Sequence, residues 1–275
     1  MKLTALRPEN PVAVMAAYGA LRLLPNARLR WVAAHPELDY DGDVVADLAV
    51  LLPARRTAPE LTALDDPRDK NIGGAAGYAR LADQLPHEWL TALAAETAEG
   101  IVPTRLLLFS GNHKFVTAAR DLMDGLNKLD VEDRLREALF GPWRYDTRAQ
   151  AWGWDAAARD DTAAMAAAPS AKDKLGVPGA YWLAWESLPL WQMVNGRTVG
   201  HSRRAWSFPT CGEWLSWEGL RALVQGRERM DKRELAAMGV RVWTAPILDT
   251  NSTGGKELGL ALQTVVRAPS SIEKR

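Results

Sequence analysis

The chain has 275 residues, 47% hydrophobic and 25% charged, which fits one large globular domain or two ordinary ones; no apolar run approaches the ~18 residues of a membrane span. Lysine plus arginine and aspartate plus glutamate balance at 34 each, yet residues 196–275 carry 13 basic against 8 acidic side chains while residues 1–100 carry 10 against 14. The neutral total therefore hides a basic C-terminal third, and the single cysteine, Cys211, excludes an internal disulfide and any cysteine zinc site.

Pro11 to Leu24 reads as a first helix, with Asn10 as its cap, Pro11 at the first helical position and apolar residues through Val14, Ala17, Tyr18 and Leu21. Pro8, Glu9 and Asn10 interrupt the N-terminal apolar stretch and no A-x-A site follows. The segment is therefore read as a helix and not as a signal peptide, and the cytoplasm is the expected location. Residues 27–33 alternate like a strand. Residues 43–52 have helical spacing closed by Pro53, and a polar loop runs on to about residue 74. A helix is expected over 87–98. Residues 104–110 read as a short apolar strand or a buried link. The next stretch, SGNHKFVTAARDL (110–122), has capping residues at its start, then Phe115, Ala119, Leu122 and Leu126 on one face. Its polar end reads first as a plain cap and second as a seat for an anion. Residues 131–140 form a further helix stopped by Gly141 and Pro142.

The character changes after residue 142. Twelve tryptophans are present and nine of them fall between Trp143 and Trp217. Core packing is one reading of them; stacking platforms for bases are the other. Residues 143–155 suggest a hairpin with a turn near Thr147, and the Ala-rich 156–179 suggests a long loop. Residues 181–191 are strongly apolar. Asn195–Gly196 between extended flanks is the best hairpin signal in the chain. Ser216 is expected to cap a helix through Leu223, followed by a charged amphipathic helix over 221–238. A strand over 240–248, a turn at 251–255 and a last strand or helix close the chain. The class is α+β, helix-richer before residue 142 and strand-richer after it. The expected division is 1–142 as an N-terminal mixed subdomain and 143–275 as a Trp-rich one, or a single continuous domain.

Catalytic motifs are scarce. His35, His87, His113 and His201 stand apart, with no H-x₃-H or H-E-x-x-H spacing, so no metal site is expected. NSTGGKELG (251–259) lacks the first glycine and the hydroxyl of a phosphate-binding loop, and Glu257 would repel phosphate. No G-x-S-x-G elbow exists, since GHSRR (200–204) lacks the final glycine. No cofactor is called for. What remains is cationic: Arg197, His201, Arg203 and Arg204 share one hairpin with few acids, and guanidinium groups suit phosphate. Asn112, His113 and Lys114, then Lys172 and Lys174, and finally Lys256 are further candidates for nucleic-acid contact.

Three stretches together carry a family resemblance. RPENPVAVMAAYGALRLLPNARLRW (7–31) is similar to the start of subunits from subtype I-G (formerly I-U) CRISPR loci, written NP-x-x-x-x-AALGLLRLL…W. SGNHKFVTAARDL resembles their SGQQ-x-F-x-x-x-x-R-x-L segment. WRYDTRAQAWGWD, then GVPGAYWLAWESLPLW and RRAWSFPTCGEWLSWEGLRALV, resemble a W-x-YD…LRWD…NWLA-x-EGLPLFP…RR-x-x-F-x-WPLW block. Order and spacing match over most of residues 8–224. The resemblance implies a large-subunit-like or helicase-associated protein of a crRNA-guided, Cascade-like defence complex. Such a protein binds crRNA or target DNA beside other Cas subunits, without catalysis and away from membranes. Carried over, Ser110, Gly111, Asn112, Lys114 and Phe115 occupy the SGQQ-x-F region, and Arg203 and Arg204 the RR pair. Asn112 and His113 replace the glutamine pair, PTCGEWLSW departs from the PLW-x-P element, and the last fifty residues are not covered. If a short duplex is read, Asn112, His113, Asn195 and Asn251 are the polar candidates. A protein-interaction scaffold, rich in Trp and Arg anchors, is the alternative, and an enzyme with an unrecognised site is a third.

Overall fold

The computed structural model describes residues 1–63, 74–108, 115–149, 152–158, 175–249 and 256–264. Helix α1 (Pro11–Leu23) begins on Pro11, and every residue from Pro11 to Leu21 is buried. A helix apolar on all faces belongs inside a core. Strand β1 (Arg28–Val32) follows and pairs with β2 (His35–Asp39), which the sequence reading missed. The ladder places Arg28 opposite Asp39 and Arg30 opposite Glu37, both as ion pairs. Helix α2 (Val44–Arg55) is capped by Asp43. It runs through Pro53, which was expected to end it, so the helix continues past the ring to Arg55.

The loop expected over 57–74 contains a helical turn, α3 (Pro59–Thr62), because Glu60 and Leu61 are both buried. Helix α4 (Ala75–Gln84) was also missed. The helix expected over 87–98 is shorter: α5 (His87–Leu93) gives way to β3 (Ala94–Thr97), which pairs with β4 (Gly100–Pro103). Residues 104–108 form a link, with Leu106 and Leu108 buried. Then come α6 (Phe115–Leu126) and α7 (Val131–Phe140). Ala119, Leu122 and Leu126 of α6 are buried as the spacing predicts. Gly141, at φ 75°, ends α7 in the left-handed region that glycine tolerates.

After residue 142 the expected hairpin at 143–155 does not form among the described residues. β5 (Thr147–Arg148) pairs instead with β6 (Leu175–Gly176). The Ala-rich loop also ends earlier than 179, because Pro178 opens helix α8 (Pro178–Glu186). All nine residues of α8 are buried, and a 3₁₀ turn over Leu188–Leu190 follows. β7 (Met193–Val194) and β8 (Arg197–Thr198) make the Asn-Gly hairpin, and β9 (Ala205–Thr210) leads on. Ser216 caps α9 (Trp217–Gly226), accepting from the Gly219 N–H. The single helix expected over 221–238 is broken. α9 stops at Gly226, a 3₁₀ turn spans Arg227–Arg229, and Asp231 caps a separate α10 (Lys232–Ala237). β10 (Arg241–Asp249) pairs with β9 on one side. On the other side it pairs with β11 (Lys256–Leu258) and β12 (Leu262–Thr264), so the last segment is strand.

The fold is α+β, helix-richer before residue 142 and strand-richer after it. The main apolar core runs from Leu3 to Ala261, and a smaller cluster joins Cys211, Leu223, Leu235 and Val240. α8 lies at its centre with α1 against it, and the two cross at Gly19, where an added Cβ would stand 1.7 Å from the Leu183 carbonyl oxygen. Tryptophan fills the space around them. Trp152 sits 4.8 Å from Trp154 and 5.7 Å from Trp185, which meets Trp89 at 5.8 Å. A second group joins Trp191 to Trp206 at 4.7 Å and Trp206 to Phe208 at 4.9 Å. No helix is long and apolar enough to cross a membrane among the described residues.

Candidate nucleic-acid interface

Asn195 (φ 51°) and Gly196 (φ 71°) both occupy the left-handed region, as a two-residue type I′ turn requires. The strand that follows turns Arg197 to solvent and buries Thr198. The Thr198 hydroxyl accepts from the Arg105 N–H at 2.9 Å and lies 3.2 Å from the Thr104 hydroxyl. That bond fixes the 104–106 link against the hairpin and brings Arg105, which the sequence reading did not single out, beside it. Its signal is invisible in sequence, since residues 93 apart meet only through the Thr198 hydroxyl.

At Gly200 (φ 77°) the chain turns back. The Gly200 carbonyl accepts from the Ser207 N–H at 2.8 Å, and a Cβ at this position would lie 2.0 Å from the Ser207 oxygen, so only glycine permits the approach. Ser202 and Ala205 then close a tight loop. The Ser202 N–H and hydroxyl both donate to the Ala205 carbonyl, at 2.8 and 3.0 Å, and the Ala205 N–H donates to the Ser202 hydroxyl at 3.1 Å. Arg203 and Arg204 are the tip of that loop and both are exposed. Below them the Arg204 carbonyl accepts from the Ile247 N–H at 2.8 Å. The Lys256 N–H donates to the Leu108 carbonyl at 3.0 Å, which seats exposed Lys256 in the same corner.

Arg105, Arg197, His201, Arg203, Arg204 and Lys256 thus come together from three stretches of chain. His201 is half-buried. Burial holds its pKa below the ordinary histidine value, and the positive charges of Arg105 and Lys256 push it further down. Several arginines elsewhere are neutralised, although exposed Arg7, Arg229, Arg233 and Arg241 also make no ion pair among the described residues. Arg22, Arg55, Arg134 and Arg144 are each bound by two or more carboxylates. In the basic corner, Arg105, Arg197, Arg203, Arg204 and Lys256 make no ion pair among the described residues. Asp249 faces Lys256 across the β10–β11 ladder without bridging to it. Asn112, His113, Lys114, Lys172, Lys174 and Asn251 lie outside the described residues, as does the polar start of the 110–122 stretch.

A depressed histidine pKa has a sign. Below the ordinary histidine value the unfolded chain takes up a proton that the folded site resists, so stability is expected to fall as pH drops through the histidine range. Urea midpoints at mildly alkaline and mildly acidic pH measure this. His201→Gln is expected to flatten part of the slope, and His35, also lowered by burial and by Arg7 and Lys2, contributes in the same direction. A slope unchanged by His201→Gln refutes the assignment.

Two buried polar clusters were not foreseen. Asn10 does not cap α1 with its side chain. Its amide instead donates to Asp155 at 2.7 Å, and its carbonyl oxygen accepts from the Ala156 N–H at 3.2 Å. Asp155, 3% exposed, also accepts from the hydroxyls of Tyr181 at 2.8 Å and Tyr145 at 3.4 Å. Burial, then the charge of Asp155, raises both tyrosine pKa values above the ordinary phenol range. The second cluster centres on Glu186, 0% exposed, which accepts from Arg22, Arg55 and Trp182. Burial works to discharge Arg55, but Glu186 and Glu60 outweigh it and hold its pKa above the usual guanidinium value. Glu60 shares that one guanidinium with Glu186, so for it burial wins and its pKa rises. Both clusters are saturated with internal partners and act as structural ties.

No described tryptophan ring is exposed; Trp143, Trp214 and Trp217 are half-buried and the other nine are buried. Among the described residues, no group of three or more His, Cys, Asp and Glu side chains is placed to hold a metal ion. No protein-family model matches the chain, and no curated protein matches it either.

Proposed function

We propose that this chain is a non-catalytic nucleic-acid-binding subunit of a crRNA-guided, Cascade-like CRISPR defence complex. It contacts the backbone of guide RNA or target DNA and docks on neighbouring Cas subunits. The observation that carries the nucleic-acid part is the basic corner. Five exposed cations gather there without carboxylate partners among the described residues, in a chain whose net charge is zero. Exposed cations without carboxylate partners gain from phosphate, because each contact releases counterions. The CRISPR assignment rests on the family resemblance of residues 8–224, whose RR pair coincides with the tip formed by Arg203 and Arg204.

A second reading, an interaction subunit that touches no nucleic acid, draws on Trp214. This ring is half-buried with the Arg30 guanidinium 4.5 Å over it, and Trp and Arg are the residue types enriched at interface anchors. One experiment separates the two. Affinity for nucleic acid is measured across a salt series for the wild type and for Arg203→Glu/Arg204→Glu, with the chain alone and assembled with its complex. Under the proposal, affinity falls with salt and the double variant loses at least ~10-fold, as expected when phosphate contacts are reversed in charge. Absent or salt-independent binding, unchanged by the variant in both settings, leaves the interaction reading.

A further inference from the structure

We infer that Asn195 is a self-modification site, where the chain converts its own side-chain amide into aspartate and isoaspartate without an enzyme. The Gly196 backbone nitrogen attacks the Asn195 Cγ. The new N–C bond closes a succinimide ring, and the side-chain nitrogen leaves as ammonia, which carries away the Gly196 proton. Water then opens the ring. Cleavage of the new Cγ–N bond gives aspartate. Cleavage of the original backbone C–N bond gives isoaspartate, whose main chain runs through the former side chain. Water is the only co-reactant. The attack needs a following amide nitrogen that is uncrowded and not already engaged as a donor. Among the described residues only Asn195 meets both conditions. Asn10 precedes Pro11, whose nitrogen carries no proton. Asn26 precedes Ala27, which bears a Cβ and donates its N–H to the Leu24 carbonyl at 3.4 Å. Asn127 precedes Lys128, whose N–H is donated to the Gly125 carbonyl at 3.1 Å. Gly196 has no Cβ, and its N–H donates to no acceptor among the described residues. Asn195 is exposed, so water reaches its amide. Asn71, Asn112 and Asn251 lie outside the described residues.

The hairpin makes the two products unequal. Aspartate leaves the main chain as it was, so the two-residue turn keeps Met193 opposite Thr198 and Val194 opposite Arg197. It adds a carboxylate, ionised at neutral pH, two residues from exposed Arg197. Isoaspartate adds the same charge and also one carbon to the main chain inside the turn. Hairpin register follows loop length, and the turn has little room to bulge. A Cβ on Gly196 would stand 2.9 Å from the Thr97 methyl. The extra carbon is therefore taken up in β7 and β8. That shift moves Thr198, whose hydroxyl accepts from the Arg105 N–H at 2.9 Å. Conversion at Asn195 thus lowers the charge of the basic corner by one, and its isoaspartyl form also loosens the bond that ties Arg105 to the hairpin. Neither effect depends on the function proposed above.

The test ages the full chain, folded and at mildly alkaline pH, and follows each asparagine by peptide mass and by enzymatic methylation specific for isoaspartyl groups. Asn195 is expected to convert ahead of Asn26 and Asn127, with isoaspartate among its products. Asn195→Gly, which keeps the turn, is expected to leave that segment unchanged over the same time. Amide exchange at Arg105 is expected to quicken in the aged chain but not in fresh Asn195→Asp, which carries the new charge on an unaltered main chain. An Asn195 that stays intact while the chain is folded and converts only in urea overturns the inference, since the turn then protects it. Conversion no faster than at Asn26 or Asn127, or to aspartate alone, overturns it as well. Exchange at Arg105 that is the same in fresh and isoaspartyl chains overturns the link from the turn to Thr198.

Discussion

Replacing Glu186 by glutamine is expected to lower the free energy of unfolding by about 3–5 kcal/mol, the range for breaking a buried ion pair by removing one partner. The carboxylate is 0% exposed and holds three donors: Arg22 at 2.9 Å, Arg55 at 3.0 Å and the Trp182 indole N–H at 3.1 Å. Glutamine keeps the shape and loses the charge. Two guanidinium groups, 15% and 21% exposed, then lose their shared counter-ion where water reaches them poorly. Glu60 and Glu88 remain as partial partners, which sets the lower end of the range. The contrast is the exposed Glu132–Arg136 pair on α7, with side chains 49% and 54% exposed. Glu132→Gln is expected to change stability by less than about 0.5 kcal/mol there, since water already solvates both charges. Urea unfolding of the two variants checks the pair of values. A loss below about 1 kcal/mol for Glu186→Gln would show that Arg22 and Arg55 find adequate solvation without it.

How far the sequence foretold this molecule depends on how local each determinant is. α7 was legible to the residue because its stop, Gly141–Pro142, is local chemistry. The Asn195–Gly196 turn was legible for the same reason, as both residues tolerate a positive φ. β2 was not, since His35-Pro-Glu-Leu-Asp carries only Leu38 as an apolar signal and owes its strand to the ladder with β1. Pro53 misled because its ring cost is outweighed where Leu52 is buried and Arg55 is drawn to Glu186. Ala94 to Thr97 look helical by propensity, yet pair as a strand with residues 100–103, a tertiary override of a weak preference. In the candidate interface, Arg197, His201, Arg203 and Arg204 were readable because they are near neighbours in sequence. Lys256 was named for its glycine-rich context and lands in the same corner through the Leu108 bond. Arg105 was beyond reach, because only the Thr198 hydroxyl brings it there. Asn10 shows the same limit. A cap was the local expectation, and Asp155, 145 residues away, takes the side chain instead.

Adding one methyl group at Gly19 is expected to cost about 3 kcal/mol or more, at or above the top of the range for overpacking a core. The new Cβ would stand 1.7 Å from the Leu183 carbonyl oxygen and 2.6 Å from its carbonyl carbon. Side-chain overpacking is relieved by rotamer changes, but here the obstacle is backbone in the middle of α8. Relief requires α1 and α8 to separate by more than an ångström, and both helices are buried along nearly their whole length. Gly125 supplies the control. It lies within α6, and a Cβ built there meets nothing within 4 Å, so Gly125→Ala is expected to stabilise the chain by up to about 1 kcal/mol through helix propensity and a less flexible unfolded state. Thermal melts of the two variants should therefore move in opposite directions. Should Gly19→Ala melt within a degree or two of the wild type, the close crossing of α1 and α8 would be refuted, and with it the packing that presents the Glu186 carboxylate to Arg22 and Arg55.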